Sequence, residues 1–324
     1  MTDNNHTEQK IYTIISRDGV EKNKVNFDIF LYLTTDHLAT QTNNPIFYYY
    51  LYRNNCVAPI AIFQCTYPDS GISVSAPSAP FGSIQCQDDV TRQETEFFLK
   101  SILTNLISSS AKELYINHYA SCYSELHANV ISEIFLSNGF QCSQTTVNHH
   151  ITVSAQKFSQ IIRPAERRRL KKCERSSLIA QLIPDPEPEV LYQFLSHCRA
   201  LKGYRLPLNL SQLTTLFQKF PTQIRVFIVT LAENMLALSI TIRVNNRILY
   251  NFLTDSLPEY QTYSPTVMLI DQIYQYCQLE NIEILDLGTS LDQFGHKKQS
   301  LIRFKENIGG VASEKKSFYL KLDI

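Results

Sequence analysis

Apolar positions in this chain alternate in short runs of period two and then recur every three to four residues, and the same order appears twice. In the first half, Ile46 to Arg53 and Val57 to Phe63 are rich in aromatic and β-branched residues and meet at Asn54-Asn55, which predicts a hairpin. In the second half, Ile224 to Leu231 and Met235 to Val244 flank Ala232-Glu233-Asn234, and Arg247 to Leu253 follows Asn245-Asn246 as a third strand. Each half then predicts a helix leading into a strand. Phe98, Ile102 and Leu106 share a helical face before Leu114 to Ile116, and Leu269, Ile273 and Cys277 do so before Ile282 to Leu287. Ser264 is expected to cap the second of these helices, with Pro265 at its first position.

Between the two meanders, Leu126, Val130, Ile131 and Ile134 predict a helix closed by Gly139, and the runs from Phe140 to Val153 are expected to complete the first sheet. A basic helix from Arg163, a strand over Leu178 to Ile183, the prolines 184, 186 and 188, and helices over Glu189 to Leu201 and Leu210 to Phe220 open the second half. The repeat predicts an α/β protein with mixed sheets (α+β) in two tandem domains, residues 1–158 and 159–324.

With 44% apolar and 19% charged residues the chain is of globular type, and its formal net charge of zero gives no global pull toward nucleic acid. Locally the picture changes. Arg163, Arg167, Arg168, Arg169, Lys171, Lys172 and Arg175 face only Glu166 and Glu174, which suits either a solvated helix face or a phosphate-binding one. The eight cysteines include no C-x-x-C pair, so neither a disulfide framework nor a zinc site is signalled. His149 and His150, adjacent in a predicted strand, point to opposite faces and do not share a metal. The opening residues MTDNNHTEQK lack the layout of a signal peptide, and no apolar stretch approaches the roughly 20 residues that span a bilayer. A cytoplasmic protein without membrane insertion is expected.

Chemistry is most legible at IEILDLGTSLDQFGHKKQSLIRFKENIGG, residues 282–310. A buried apolar strand ends there at Gly288, Thr289 and Ser290, and strand ends are where open α/β sheets bind ligands. Asp286 reads either as a base with a raised pKa or as a cap for the next loop, and Thr289 and Ser290 as hydrogen-bond donors or strand terminators. Lys305 follows the packing residues Leu301, Ile302 and Phe304 and reads as a positive donor beside the strand end or as an exposed lysine on a short helix; Lys305→Ala is expected to cut turnover at least tenfold and to leave stability nearly unchanged. Arg205, in KGYRLPLN, reads as an anion binder or a surface residue. No G-x-S-x-G or H-E-x-x-H occurs, and acyl transfer to an amine needs neither.

Asp286, Gly288 and Ser290 followed by Leu301, Phe304, Lys305 and Gly309 resemble the closing motif of the Fem-type peptidyltransferases and their GNAT-superfamily relatives, with Ser300 and Ile308 as departures. Pro80-Phe81-Gly82 resembles the family's turn in the first domain, and ERRRLKKCERSSLIAQL the start of its second. The resemblance implies tandem GNAT domains that move an acyl group from a coenzyme A thioester onto an amine of a small-molecule or cell-envelope precursor. It places Lys305 at substrate phosphate or the reacting centre. It also sets Tyr250 and Asp255 beside the acyl donor, and Arg167, Tyr263, Ser264 and Thr266 toward donor phosphates. The glycine-rich pyrophosphate loop of acetyl-coenzyme A enzymes is missing, since Tyr263-Ser264-Pro265-Thr266 stands in its place. An aminoacyl-tRNA donor and a non-catalytic GNAT-fold binding module are the alternatives.

Overall fold

The computed structural model describes residues 11–16, 25–54, 56–68, 70–292 and 294–322, so MTDNNHTEQK and Asn55, where a hairpin is expected from sequence, lie outside the described residues. Two compact units emerge, one of residues 1–146 with 314–324 and one of residues 147–313.

In the first unit, β1 (Ile11–Ser16), β2 (Ile46–Arg53), β3 (Ala61–Thr66) and β5 (Gln85–Cys86) form a four-stranded sheet in the order β1-β2-β3-β5. The hairpin predicted at Asn54 is present, but its second strand begins at Ala61 rather than Val57, which is 99% exposed in the turn. Pro59 explains the delay, because it has no N–H to give a ladder. Between β3 and β5 lies β4 (Ile72–Ser75), which pairs in parallel with β6 (Glu113–Asn117). The last strand, β13 (Val311–Lys321), adds to β6 antiparallel through Ser317 to Lys321. Helices α1 (Thr35–Gln41), α2 (Arg92–Ser108) and α3 (His127–Ser137) complete the unit. Thr91 and Glu94 close a capping box at the start of α2. Gly139, φ +88°, follows the end of α3 as expected.

The second unit begins on β7 (Gln141–Thr152), whose residues Asn148 to Thr152 pair antiparallel with β12 (Ile284–Thr289). Those residues therefore build the second sheet rather than only completing the first. After α4 (Phe158–Ile161) and the basic α5 (Pro164–Arg175) come β8 (Leu178–Ile183), α6 (Pro188–Ala200), α7 (Leu210–Lys219), β9 (Ile224–Leu231), β10 (Asn234–Arg243) and β11 (Ile248–Ser256). The meander β8-β9-β10-β11 is antiparallel throughout, and β11 then pairs in parallel with β12 after the crossover helix α8 (Pro265–Leu279). A short helix α9 (Gln299–Asn307) follows β12. Leu269, Ile270, Ile273 and Cys277 of α8 are buried against Phe227, Val229, Leu249 and Leu285 of the sheet, the face predicted from their spacing. On α5 only Glu166, Leu170 and Cys173 are buried, which leaves its other charges at the surface or partly exposed.

The start of α8 departs from expectation. Ser264 does precede Pro265, but it adopts a left-handed conformation (φ 58°, ψ 53°) and its side chain caps no backbone N–H. Its hydroxyl donates instead to Gln261 O at 3.2 Å.

Candidate functional site

Strands β11 and β12 pair only at Ile248 with Ile284, Leu249 with Leu285 and Tyr250 with Asp286. Beyond that point each strand continues, β11 to Ser256 and β12 to Thr289, with no further pairing between them among the described residues. Both carry a bulge at the divergence. Against β10 the register passes from Thr241 opposite Asn251 to Ile240 opposite Leu253, leaving Phe252 as the extra residue. Against β7 it passes from Asp286 opposite His150 to Gly288 opposite His149, leaving Leu287 as the extra one. An extra residue bends and twists its strand, and two bulges side by side open a wedge at the carboxyl ends of the parallel pair.

A cavity of about 470 Å³ occupies this wedge. Asn251, Thr254, Asp255 and Ser256 of β11 form one wall, Leu287 with Phe304 and Lys305 of α9 another, and Ser264 to Val267 at the start of α8 a third. Four cationic side chains, Arg169, Lys202, Lys298 and Lys305, line it against the single carboxylate of Asp255. Asp255 is itself neutralised: its oxygens meet Lys202 Nζ and Arg199 Nε, the latter at 2.9 Å, and Oδ1 accepts the Ser256 N–H. Arg169 is likewise paired with Glu166 at 2.7 Å, and the wall as a whole still carries more positive than negative side chains. A second cavity, about 520 Å³, lies between the Pro-rich segment after β8 and the first residues of β9. It sits at the opposite end of the strands and contains none of the expected residues, and its one cation, Arg225, is committed to Tyr276 Oη and to backbone carbonyls. The wedge is therefore the candidate site.

Lys305 is buried, not exposed. Its Nζ donates to Gly288 O and Thr289 O, both at 2.8 Å, and so closes the last carbonyls of β12. Desolvation lowers its pKa to about 8, with the nearby Asp286 charge opposing the shift. Asp286 Oδ1 accepts the Gly288 N–H and Asn148 Nδ2, both at 2.8 Å, so this carboxylate fixes the bulge. Tyr250, half-buried beside it, has its phenol pKa raised by desolvation and then by the Asp286 charge. Gly288 has φ +72°, and a Cβ built on it would lie 3.1 Å from Tyr250 Cε2. Gly288→Ala is expected to cost about 1–3 kcal/mol through the left-handed backbone alone and to push Tyr250 toward the wedge. Thermal unfolding and ligand titration of the variant check this, as a lower Tm joined to weaker binding.

Of the residues expected from sequence, Lys305, Phe304, Asp255, Ser264 and Thr266 come together on the cavity wall. Tyr250, Asp286 and Thr289 support it from behind. Ser290 is buried with no partner for its hydroxyl, while its carbonyl accepts the Lys298 N–H at 2.8 Å. Tyr263 lies outside the wall, its ring under Lys172 Nζ at 4.9 Å. Arg205 is exposed away from the cavity, and Arg167 turns back to Ile162 O at 3.4 Å. Their places on the wall are taken by Lys202, three residues before Arg205, and Arg169, two after Arg167. Helical phase separates Arg167 from Arg169 on α5, whereas Lys202 and Arg205 lie in the turn after α6, and sequence spacing shows neither arrangement. Lys298, held over the Tyr204 ring at 4.4 Å and donating to its hydroxyl at 2.9 Å, belongs to a loop with no periodic signal.

The family described as acetyltransferase (GNAT) domain matches residues 164–298. The fold is similar to that of FemX, with TM-score 0.68 and 11% identity over 90% of this chain and 92% of that one. The protein has a Fem-like tandem GNAT fold. A tandem GNAT protein from the clavulanic acid biosynthesis pathway aligns over 97% of this chain and 99% of its own with TM-score 0.55 and 7% identity. L-PGS from Bacillus licheniformis does so over 87% and 85% with TM-score 0.53 and 9% identity. No curated protein matches the sequence. In this Fem-like GNAT fold the wedge falls within the second unit, the one that carries the matched segment. Among the described residues no helix is long and apolar enough to cross a membrane, and no three His, Cys, Asp or Glu side chains group to hold a metal ion.

Proposed function

We propose that the protein transfers an acyl group from a coenzyme A thioester, held in the wedge, onto an amine of a small-molecule or cell-envelope precursor. The divergence of β11 from β12 into a cationic cavity carries this reading. The unpaired edge of β11 from Asn251 to Ser256 offers backbone partners to an extended amide-bearing arm, as a strand does to a peptide. Thr266 and the start of α8 face the phosphate end, where the helix dipole favours negative charge. Pro265 removes one N–H from that cradle, and Arg169, Lys202 and Lys298 supply charge in its place. For transfer, the acceptor amine attacks the acyl carbon as a free base, and Lys305 takes the proton the new amide bond releases. A well-placed base contributes about 10²- to 10⁴-fold.

A specific observation favours an aminoacyl-tRNA donor as the second reading. Arg163, Arg168, Lys171 and Arg175 on α5 have no ion-pair partner among the described residues, and the same helix brings Arg169 to the cavity. An uncompensated basic stripe suits a long polyanion. Donor identity decides between the two. A panel of coenzyme A thioesters is expected to raise Tm by several degrees, as ligand at about 100 times Kd adds about 2.7 kcal/mol. Arg169→Glu is expected to weaken that binding in a salt-dependent way. Stabilisation by no thioester, with a gel shift by charged tRNA, would replace the first reading by the second; binding of neither would leave a non-catalytic module.

A further inference from the structure

A cavity that holds an acyl donor exposes it to every nucleophile in its own wall, and three amines line this one. Two of them are engaged by other groups. Lys202 is paired with Asp255 and donates to Ser256 O at 2.9 Å, and Lys298 lies over the Tyr204 ring. Lys305 differs in every respect. It is 6% exposed and lies among Phe304, Ile308 and Leu287, with the Asp286 charge nearby. Its two hydrogen-bond partners are backbone carbonyls on one side, at the end of β12. A neutral amine has two N–H bonds and one lone pair. Spending both bonds on Gly288 O and Thr289 O directs the lone pair away from the strand.

We propose that Lys305 is a self-acylation site, resting on the reading of the wedge as an acyl-thioester pocket: in the absence of an acceptor amine, its Nζ takes the acyl group from the bound thioester. The lone pair attacks the thioester carbonyl, the carbon–sulfur bond breaks, coenzyme A leaves as thiolate, and one amine proton passes to solvent. An N-acyl lysine remains. The product shuts the site, because an amide nitrogen has no basic lone pair and only one N–H, so one of the two β12 carbonyls loses its partner while the acyl group fills the cavity. Desolvation of Lys305, opposed by Asp286 and set beside the buried His149, supports a substantial neutral fraction near pH 8. The acceptor then competes with the enzyme's own lysine, and the chain is switched off when donor accumulates without acceptor.

The test incubates the whole protein at pH 8.5 with acetyl-coenzyme A and with the thioester that raises Tm most, omitting any amine acceptor. Intact mass and peptide mapping are expected to show one acyl group per chain, on the peptide carrying Lys305. Lys305→Arg should lose it, while Lys219→Arg, at the exposed end of α7, keeps it. Three results overturn the proposal. Acylation spread over surface lysines at the rates of the heat-unfolded chain marks it as solution chemistry, and a raised Tm without an adduct removes self-acylation but keeps the donor reading. No Tm rise and no adduct removes both.

Discussion

Replacing Lys305 with methionine should cut turnover by at least tenfold and by about 10²- to 10⁴-fold if it is the base in the transfer step. Methionine is the better probe than alanine, because Lys305 is buried and truncation to Ala would add a cavity to the lost hydrogen bonds. The pH dependence separates a base from a fixed cation. With a folded pKa of about 8 against an ordinary 10.5, the unfolded chain binds more protons at this position between those values. Stability from this group is therefore least below pH 8 and rises as pH climbs through the window, by about 3 kcal/mol in all. In the Lys305→Met variant that rise disappears, while Gly288 O and Thr289 O lose their donor at about 1–3 kcal/mol each. Near pH 7 the two effects oppose one another, so Tm changes little; above pH 10 only the loss remains. For turnover, a base predicts a rate that rises to a plateau through about pH 8. Lys305→Arg, always charged, should not restore it. Wild-type turnover in that variant would make Lys305 a phosphate cation instead.

What can be read from the sequence follows from which interactions are local. Strands β8 and β9 appear at the residues expected, Leu178 to Ile183 and Ile224 to Leu231, because each is a clean apolar run bounded by turn residues. The end of β12 is less legible. Gly288 reads as the break after Leu287, yet the strand runs through it to Thr289, since a bulge uses glycine's left-handed backbone without ending the ladder with β7. Strand β13 carries only Phe318 and Leu320 as an apolar alternation among lysines, and its return to the first unit depends on partners about 200 residues away, Leu114 and Ile116. No periodicity encodes that. Within the site, Lys305 is legible as a position but not as a buried one, since burial is decided by how α9 folds back over β12. The exchange of Arg205 for Lys202, and of Arg167 for Arg169, has the same origin. Residue type survives in a charged run, whereas the side that meets the cavity is set by tertiary contact.

The largest effect on stability is expected at Gly82. A Cβ there would lie 2.1 Å from Ala76 N, 2.2 Å from Ser75 C and 2.5 Å from Ser75 Oγ, and two of those three atoms are backbone, which no rotamer change can move. Gly82 N donates to Asn117 O at 2.8 Å, so the residue is held between β6 and the segment after β4. The next residue extends the arrangement inward: Ser83 N donates to Ser75 Oγ at 3.0 Å, and Ser83 Oγ meets His118 Nδ1 at 2.8 Å. His118 Nε2 lies 3.0 Å from Ala128 O, and a carbonyl only accepts, so Nε2 carries the proton and Nδ1 accepts from the serine. Burial lowers this histidine to about 4 and keeps it neutral. Gly82→Ala forces this chain of contacts apart at its first link, and a loss above 4–5 kcal/mol, in the exceptional range for a single substitution, is expected. Ser83→Ala, which leaves His118 Nδ1 unpaired, should cost about 1–3 kcal/mol. Hydrogen exchange should show lost protection in β4, β6 and α3 with β9 to β11 little changed. If donor binding survives in that protein, the first unit serves the acceptor or the fold rather than the donor. Native protection throughout would mean that the turn at Gly82 yields to a side chain, and the close approach of Ser75 and Ala76 would not be a requirement of the fold.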